Sequence, residues 1–320
     1  MFRLRLVPNQ TNLPFMSWRK IGFAISTILL IASIALFFAR GLNYGIDFLG
    51  GILMEVQTPT IVDTSEMRSR LEGLGLGEIS LQEFGEADTV LIRIERQTGG
   101  EEEQLAAVET IKTSLAEQYG DGIDYRRTEF VGPKVGDELI LAGVEAVVFA
   151  LIAMMVYIWF RFEWQFSLGA VAALVHDVVA TIGVFALLGL EFNLATVAAI
   201  LLIVGYSMND TVVVYDRVRE NLRKYKKLSL EDLLSRSIND TLSRTIMTSV
   251  TTLLALIALW SLGGPVIADF CFAMIWGVLV GTYSSIFVAA PLLLNFGLER
   301  LSHREQVVDA EATSSSEDAP

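Results

Sequence analysis

Apolar residues fill six long stretches of this chain almost without a break, and between the first two the pattern switches to short alternating segments. A bilayer hydrocarbon core of about 30 Å takes about 20 helical residues at about 1.5 Å each. The stretches 21–39, 139–160, 166–190, 194–215, 245–262 and 270–298 therefore predict six transmembrane helices. The last is expected to bend or end near Pro291, because proline cannot donate the helical hydrogen bond. The first exceeds the roughly 7–15 apolar residues of a signal peptide, and the residues after it make a poor cleavage site, so an uncleaved anchor is expected.

The intervening segment, 40–138, has the pattern of a small globular domain. Strands are expected over 51–57, 78–84, 89–95 and 123–131. The third is the clearest: Val90, Ile92 and Ile94 alternate with Leu91, Arg93 and Glu95. Helices are expected over 63–74, capped by Asp63 or Thr64, with Met67, Leu71 and Leu74 inward, and over 102–118, with Leu105, Val108, Ile111 and Leu115 inward. The order β-α-β-β-α-β predicts a ferredoxin-like α+β domain, which is a fold and not a function.

Composition agrees with a polytopic membrane protein. The 320 residues are 52% hydrophobic and only 19% charged, with mean hydropathy +0.50. A net charge of −13 argues against a nucleic-acid partner. A single cysteine, Cys271, excludes an internal disulfide and a cysteine metal cluster, and with His176 and His303 the only histidines the sequence argues against a histidine-rich metal site. No bound cofactor and no enzymatic constellation are expected. Cys271 is expected to be a buried small apolar residue.

Basic residues set the expected orientation. Arg3, Arg5, Arg19 and Lys20 precede the first stretch, seven Lys and Arg lie between Asp216 and Arg244, and Arg300 and Arg304 lie in the tail. The turns 191–193 and 263–269 carry none. By the positive-inside rule, both termini (1–20 and 299–320) and a loop near 216–244 face the cytoplasm, and 40–138 lies outside, in the periplasm. Within that loop, Asp216, Arg217, Arg219 and Glu220 are expected to form a salt-bridged helix start, and 231–243 an amphipathic interfacial segment. The Ser- and acid-rich residues 311–320 predict disorder.

Charges inside a bilayer are costly and are functional candidates by default. Asp177 falls mid-way in the third stretch and Asp210 in the inner half of the fourth. A carboxylate there can exchange a proton, and the competing reading for each is a hydrogen bond to a neighbouring helix. His176 can titrate near neutrality or simply be hydrogen-bonded in the bundle. Arg244 opens the fifth stretch, where it can serve a charge pathway or snorkel to the interface. Thr248 and Thr252 continue its face at intervals of four, with Ser249 and Thr251 nearby, so this helix end could line a hydrated path.

Five local motifs then coincide. Gly45-Ile46-Asp47-Phe48-Leu49-Gly50-Gly51 follows the first stretch. Val175-His176-Asp177 lies in the third. The run from Gly205, Tyr206, Ser207, Met208, Asn209 and Asp210 on to Asp216, Arg217 and Asn221 closes the fourth. Leu242-Ser243-Arg244-Thr245 opens the fifth, with Leu262-Gly263-Gly264-Pro265 after it. In order and spacing the chain resembles the SecF family of bacterial SecDF along nearly its whole length, except the extreme N-terminus, much of the 40–138 domain and the acidic tail. The resemblance implies half of a twelve-helix assembly of the RND superfamily, paired with SecD and associated with SecYEG and, in many bacteria, YajC. It implies a multi-pass protein of the bacterial inner membrane that uses the proton-motive force to promote preprotein export, with protons as the coupling ion. It carries the proton path onto Asp210 and Arg244; Asp177 is an accessory candidate from its place in the third stretch alone. Asp47, Gly50 and Gly51 are expected to shape the junction to the outside domain.

Two other readings compete with an export subunit. A proton-coupled small-molecule exporter of the same superfamily would fit the intramembrane acids, but such proteins usually carry both repeats in one chain. A purely structural partner of the translocon would tolerate neutral residues at Asp210 and Arg244.

Overall fold

The computed structural model describes residues 11–77, 79–97, 100–131, 133–264 and 267–296. The tail 299–320, Arg3, Arg5 and Pro265 lie outside the described residues.

Helix α1 (Arg19–Arg40) follows a 3-10 turn and leads through β1 (Asn43–Tyr44) and the single turn α2 (Ile46–Leu49) into the sheet domain. That domain comprises β2 (Gly51–Gln57), α3 (Thr64–Glu72), β3 (Ile79–Phe84), β4 (Glu86–Ile94), α4 (Glu101–Tyr119) and β5 (Asp124–Val131). The strand order β3-β4-β2-β5, with every neighbouring pair antiparallel, is the ferredoxin-like arrangement. Asp63 caps α3 by accepting from the Ser65 and Glu66 backbone N–H groups.

The alternation of β4 works as expected: Val90, Ile92 and Ile94 join Ile52, Met54 and Val56 under α3 and α4. On α4 the buried stripe includes Gln104, Ala107, Val108, Ile111, Ser114 and Leu115, while Leu105 is 51% exposed. The stripe runs back through 107 and 104 because 3.6 residues per turn rotates position 105 off the face.

The remaining helices are α5 (Pro133–Arg161), α6 (Trp164–Leu188), α7 (Leu194–Lys224), α8 (Leu230–Leu262), α9 (Ala268–Ser284) and α10 (Ala290–Asn295), with β6 (Glu191–Phe192) before α7. A π-helical turn, Ser285–Ala289, joins α9 to α10 and places Pro291 at the start of α10. Proline is tolerated there because its missing N–H is one that a helix start leaves unpaired. Among the described residues, six helical segments are long and apolar enough to cross a bilayer. Of these, α6, α7 and α9 form the interior, whereas α1, α5 and α8 turn much of their apolar surface outward.

The expected loop near 216–244 contracts to the turn between Lys224 and Leu230. Both flanking helices run on past the apolar stretches because their amphipathic faces pack together: Val218 of α7 lies in one core with Leu230, Leu233, Leu234 and Ile238 of α8. Asn221 secures this hairpin by donating to Ser237 Oγ at 3.0 Å and Asp240 Oδ2 at 3.1 Å. Asp216, Arg217, Arg219 and Glu220 are therefore in mid-helix, not at a helix start, and 231–243 is the first half of α8.

Candidate functional site

Two carboxylates occupy the middle of the bundle, each held by hydroxyl groups from neighbouring helices. Asp177 of α6 accepts from Ser207 Oγ of α7 at 2.6 Å and from Ser284 Oγ of α9 at 2.8 Å, both at Oδ2. Its Oδ1 lies 3.0 Å from His176 Nδ1. Asp210 of α7 accepts from Thr245 Oγ1 of α8 at 2.5 Å and from Ser285 Oγ of the π turn at 2.6 Å. Asp177 is 0% exposed and Asp210 8%, so the second retains slight access from outside the bundle.

The local structure explains this convergence. Ser207 and Asp210 are three residues apart and share the inward face of α7. Ser284 and Ser285 are adjacent, so their side chains leave the helix about 100° apart and reach different neighbours. Gly281 permits the approach, since a Cβ there would lie 3.0 Å from Ser207 Cβ. Gly277 does the same against Ile203, whose side-chain atoms would crowd any Cβ.

The serines have a second outlet. Ser284 Oγ also lies 3.2 Å from the Gly281 carbonyl and Ser285 Oγ 3.0 Å from the Thr282 carbonyl. A hydroxyl both donates and accepts. With the carboxylate ionised, the serine donates to it. With the carboxyl protonated, the serine can turn its hydrogen to the backbone carbonyl and accept from the acid. Both protonation states are thus hydrogen-bonded without moving a helix.

Arg244 lies near enough for its charge to act on Asp210 through space, but it does not touch the carboxylate. Its side chain is exposed and forms no ion pair or hydrogen bond with Asp210; the next residue, Thr245, makes that contact. The packed hydroxyl face of α8 is Thr245 and Ser249, the latter 2.7 Å from Thr282 Oγ1. Thr248 and Thr251 are exposed and bond back to their own helix. Spacing does not single out Thr245, Ser284 or Ser285. The legible sign is the run of hydroxyl-bearing residues 282–285 inside an apolar span.

The other motif residues divide by position. Gly205 and Asn209 lie on the outward face of α7, and the Tyr206 hydroxyl is buried without a partner among the described residues. Asp216 pairs with Arg161 of α5 at 3.1 Å and Arg217 with Glu220 at 2.8 Å. His176 packs against Tyr283, and Cys271 is buried.

The Gly45–Gly51 motif ties the sheet domain to the bundle. Asp47 Oδ2 accepts from the Leu194 N–H at the start of α7, and β1 pairs in parallel with β6. Gly50 and Gly51 have φ of 71° and 120°, and a Cβ on Gly51 would lie 2.5 Å from the Ile94 carbonyl oxygen. Arg93 of β4 pairs with Glu191 of β6. Burial pushes the Glu191 carboxyl above its ordinary value, and Arg93 opposes that shift.

Comparison with known proteins agrees with these features. Residues 110–299 match the family "Protein export membrane protein SecD/SecF, C-terminal", and residues 35–58 match the "SecD/SecF GG Motif". The chain is 45% identical over 303 residues to protein translocase subunit SecF of Rickettsia felis, covering 95% of this chain and 98% of that one. It is 46% identical over 323 residues to the SecF of Rhodobacter capsulatus, covering 96% of each. The crystal structure of SecDF from Thermus thermophilus, a translocon-associated membrane protein, superposes with a TM-score of 0.81 at 36% identity. That match covers 92% of this chain and 40% of the SecDF chain. SecDF in a super-membrane-facing form matches with a TM-score of 0.69. The chain belongs to the SecD/SecF family of protein-export membrane proteins, and its relatives place it among the SecF subunits.

Proposed function

We propose that the chain is the SecF partner of SecD in the bacterial inner membrane, that it promotes preprotein export beside SecYEG and YajC, and that a proton moving through Asp210 energises it. One observation carries the proton reading: two buried carboxylates held by hydroxyls that suit both protonation states. Protonation removes a charge from the middle of the bilayer and with it a solvation cost of a few kcal/mol. Asp210 is the better carrier because it keeps access that Asp177 lacks. Asp177, reached through the adjacent Ser284, acts as an accessory site. Arg244 works from outside the cluster, and rotation of α8 would bring its fixed charge toward Asp210.

The proposed orientation follows the basic residues, with both termini and the α7–α8 hairpin in the cytoplasm and the sheet domain outside. The chain has no enzymatic part in this reading; work comes from the gradient, about 2.3 kcal/mol per charge per 100 mV. A small-molecule exporter is not favoured, since the curated relatives are translocase subunits.

The test replaces Asp210 with Asn at normal expression beside SecD. Export is then measured with and without a proton-motive force. The proposal expects the force-dependent component to vanish while the complex still assembles. Export equal to wild type would sink the carrier assignment.

A further inference from the structure

A cleft of about 580 Å³ opens where α5 ends against the extension of α7, lined by Arg161, Asp216, Arg219, Glu220, Arg223 and Lys224. Its two carboxylates are already engaged: Asp216 by Arg161, and Glu220 by Arg217 from beside the cleft. Arg219 donates to the Arg161 carbonyl at 3.3 Å, and Lys224 lies over the Tyr225 ring. Neither they nor Arg223 form an ion pair among the described residues. Arg219 and Arg223, one turn apart, and Lys224 thus line one cleft whose two carboxylates are held by other cations.

The surroundings say which anion fits. Arg161 is the last residue of an apolar spanning helix, so the cleft begins at the edge of the hydrocarbon. From Asp216 to Lys224 it extends about 12 Å along the helix axis. That covers the roughly 5–7 Å headgroup layer of one leaflet. Directly below, α5 turns Trp159 and Phe160 outward, the latter 89% exposed, and Trp164 opens α6 at the same level. Exposed aromatics of this kind mark a membrane interface. An acyl chain can lie along α5 while its headgroup enters the cleft.

We infer that this cleft binds the headgroup of an anionic phospholipid, with Arg219, Arg223 and Lys224 on the phosphate. The inference rests on the six helices spanning a bilayer, and not on the proton path, so either can fail alone. Each basic residue near an anionic leaflet is worth about 1 kcal/mol, or about fivefold in affinity.

The experiment uses the chain in complex with SecD, delipidated in detergent. Binding of phosphatidylglycerol and of phosphatidylcholine with matched acyl chains is followed by native mass spectrometry, for wild type and for Arg223→Gln/Lys224→Gln. These two side chains are exposed, so the fold should be kept. Phosphatidylglycerol affinity is expected to fall about 30-fold in the variant, with phosphatidylcholine unchanged and excess inorganic phosphate a weak competitor. Equal affinity in variant and wild type would overturn the inference. So would a site that takes inorganic phosphate as tightly as lipid, or one that binds lipid only once SecD is removed, which would assign the cleft to that partner.

Discussion

Ser284 and Ser285 are consecutive residues whose hydroxyls serve two different carboxylates, Asp177 at 2.8 Å and Asp210 at 2.6 Å. One short piece of backbone, at the entry to the π turn, thereby joins the two acids of the bundle. π turns occur frequently at functional sites, and here the turn sits at the point of contact. A change in protonation at either acid alters the hydrogen bonds of the same helical turn, at the Gly281 or the Thr282 carbonyl.

Ser285→Ala should lower the force-dependent part of export while leaving assembly with SecD intact. The loss should be smaller than in Asp210→Asn, because Thr245 still donates to the carboxylate. A hydrogen bond to a charged group is worth about 1.5–3 kcal/mol. Export rates measured at graded proton-motive force check this, and Ser285→Thr, which keeps the hydroxyl, should restore activity.

Arg244→Gln should cost less than about 0.5 kcal/mol of stability, as an exposed substitution does. Thr245→Val should cost more, about 1–3 kcal/mol, since it strips a donor from a buried acid. Thermal unfolding of the purified complex compares the two. A larger loss from Arg244→Gln would contradict the exposed placement of Arg244.

Gly51→Ala should destabilise the sheet domain by more than about 1 kcal/mol, because the new Cβ meets the Ile94 carbonyl at 2.5 Å and φ is 120°. The damage should fall on the pairing of β2 with β4. Hydrogen exchange of the Ile52 and Ile94 amides measures it.

The docking of the sheet domain should depend on pH through Glu191. Its folded pKa is raised by burial. Such an acid contributes stability that is full below its unfolded value, about 4.3, and lost as pH rises through the folded value. Arg93→Gln removes the opposing cation and should widen that range upward. Glu191→Gln should remove this contribution. Protease susceptibility of the α1–β2 junction, followed across pH for the three proteins, is the readout.

Length and apolarity made the six helices legible, and the two-residue alternation of 89–95 made β4 legible, because burial repeats with a fixed period along the chain. The same rule exposes its own limits. The first half of α8 is polar on one side, so an apolar window begins it at position 245, while Leu230, Leu233, Leu234 and Ile238 hold the earlier turns to α7. The acids Asp177 and Asp210 stand out as charges in apolar runs. Their partners do not, since contact with Asp210 passes from Arg244 to Thr245 with a rotation of about 100° per residue. The pairing of Asn43 with Glu191 joins residues far apart in the chain, and no local pattern encodes it.

That pairing has a mechanical consequence. Asn43 and Tyr44 run beside Glu191 and Phe192, and Asp47 holds the first N–H of α7. The sheet domain is therefore clamped to the end of a single rigid rod, and Asp210 lies about 24 Å down that rod at about 1.5 Å per residue. A helix resists compression and twisting far more than a loop would. A load pulling on the sheet domain would arrive at the Asp210 cluster as displacement or torque, and a shift at the cluster would return along the same shaft.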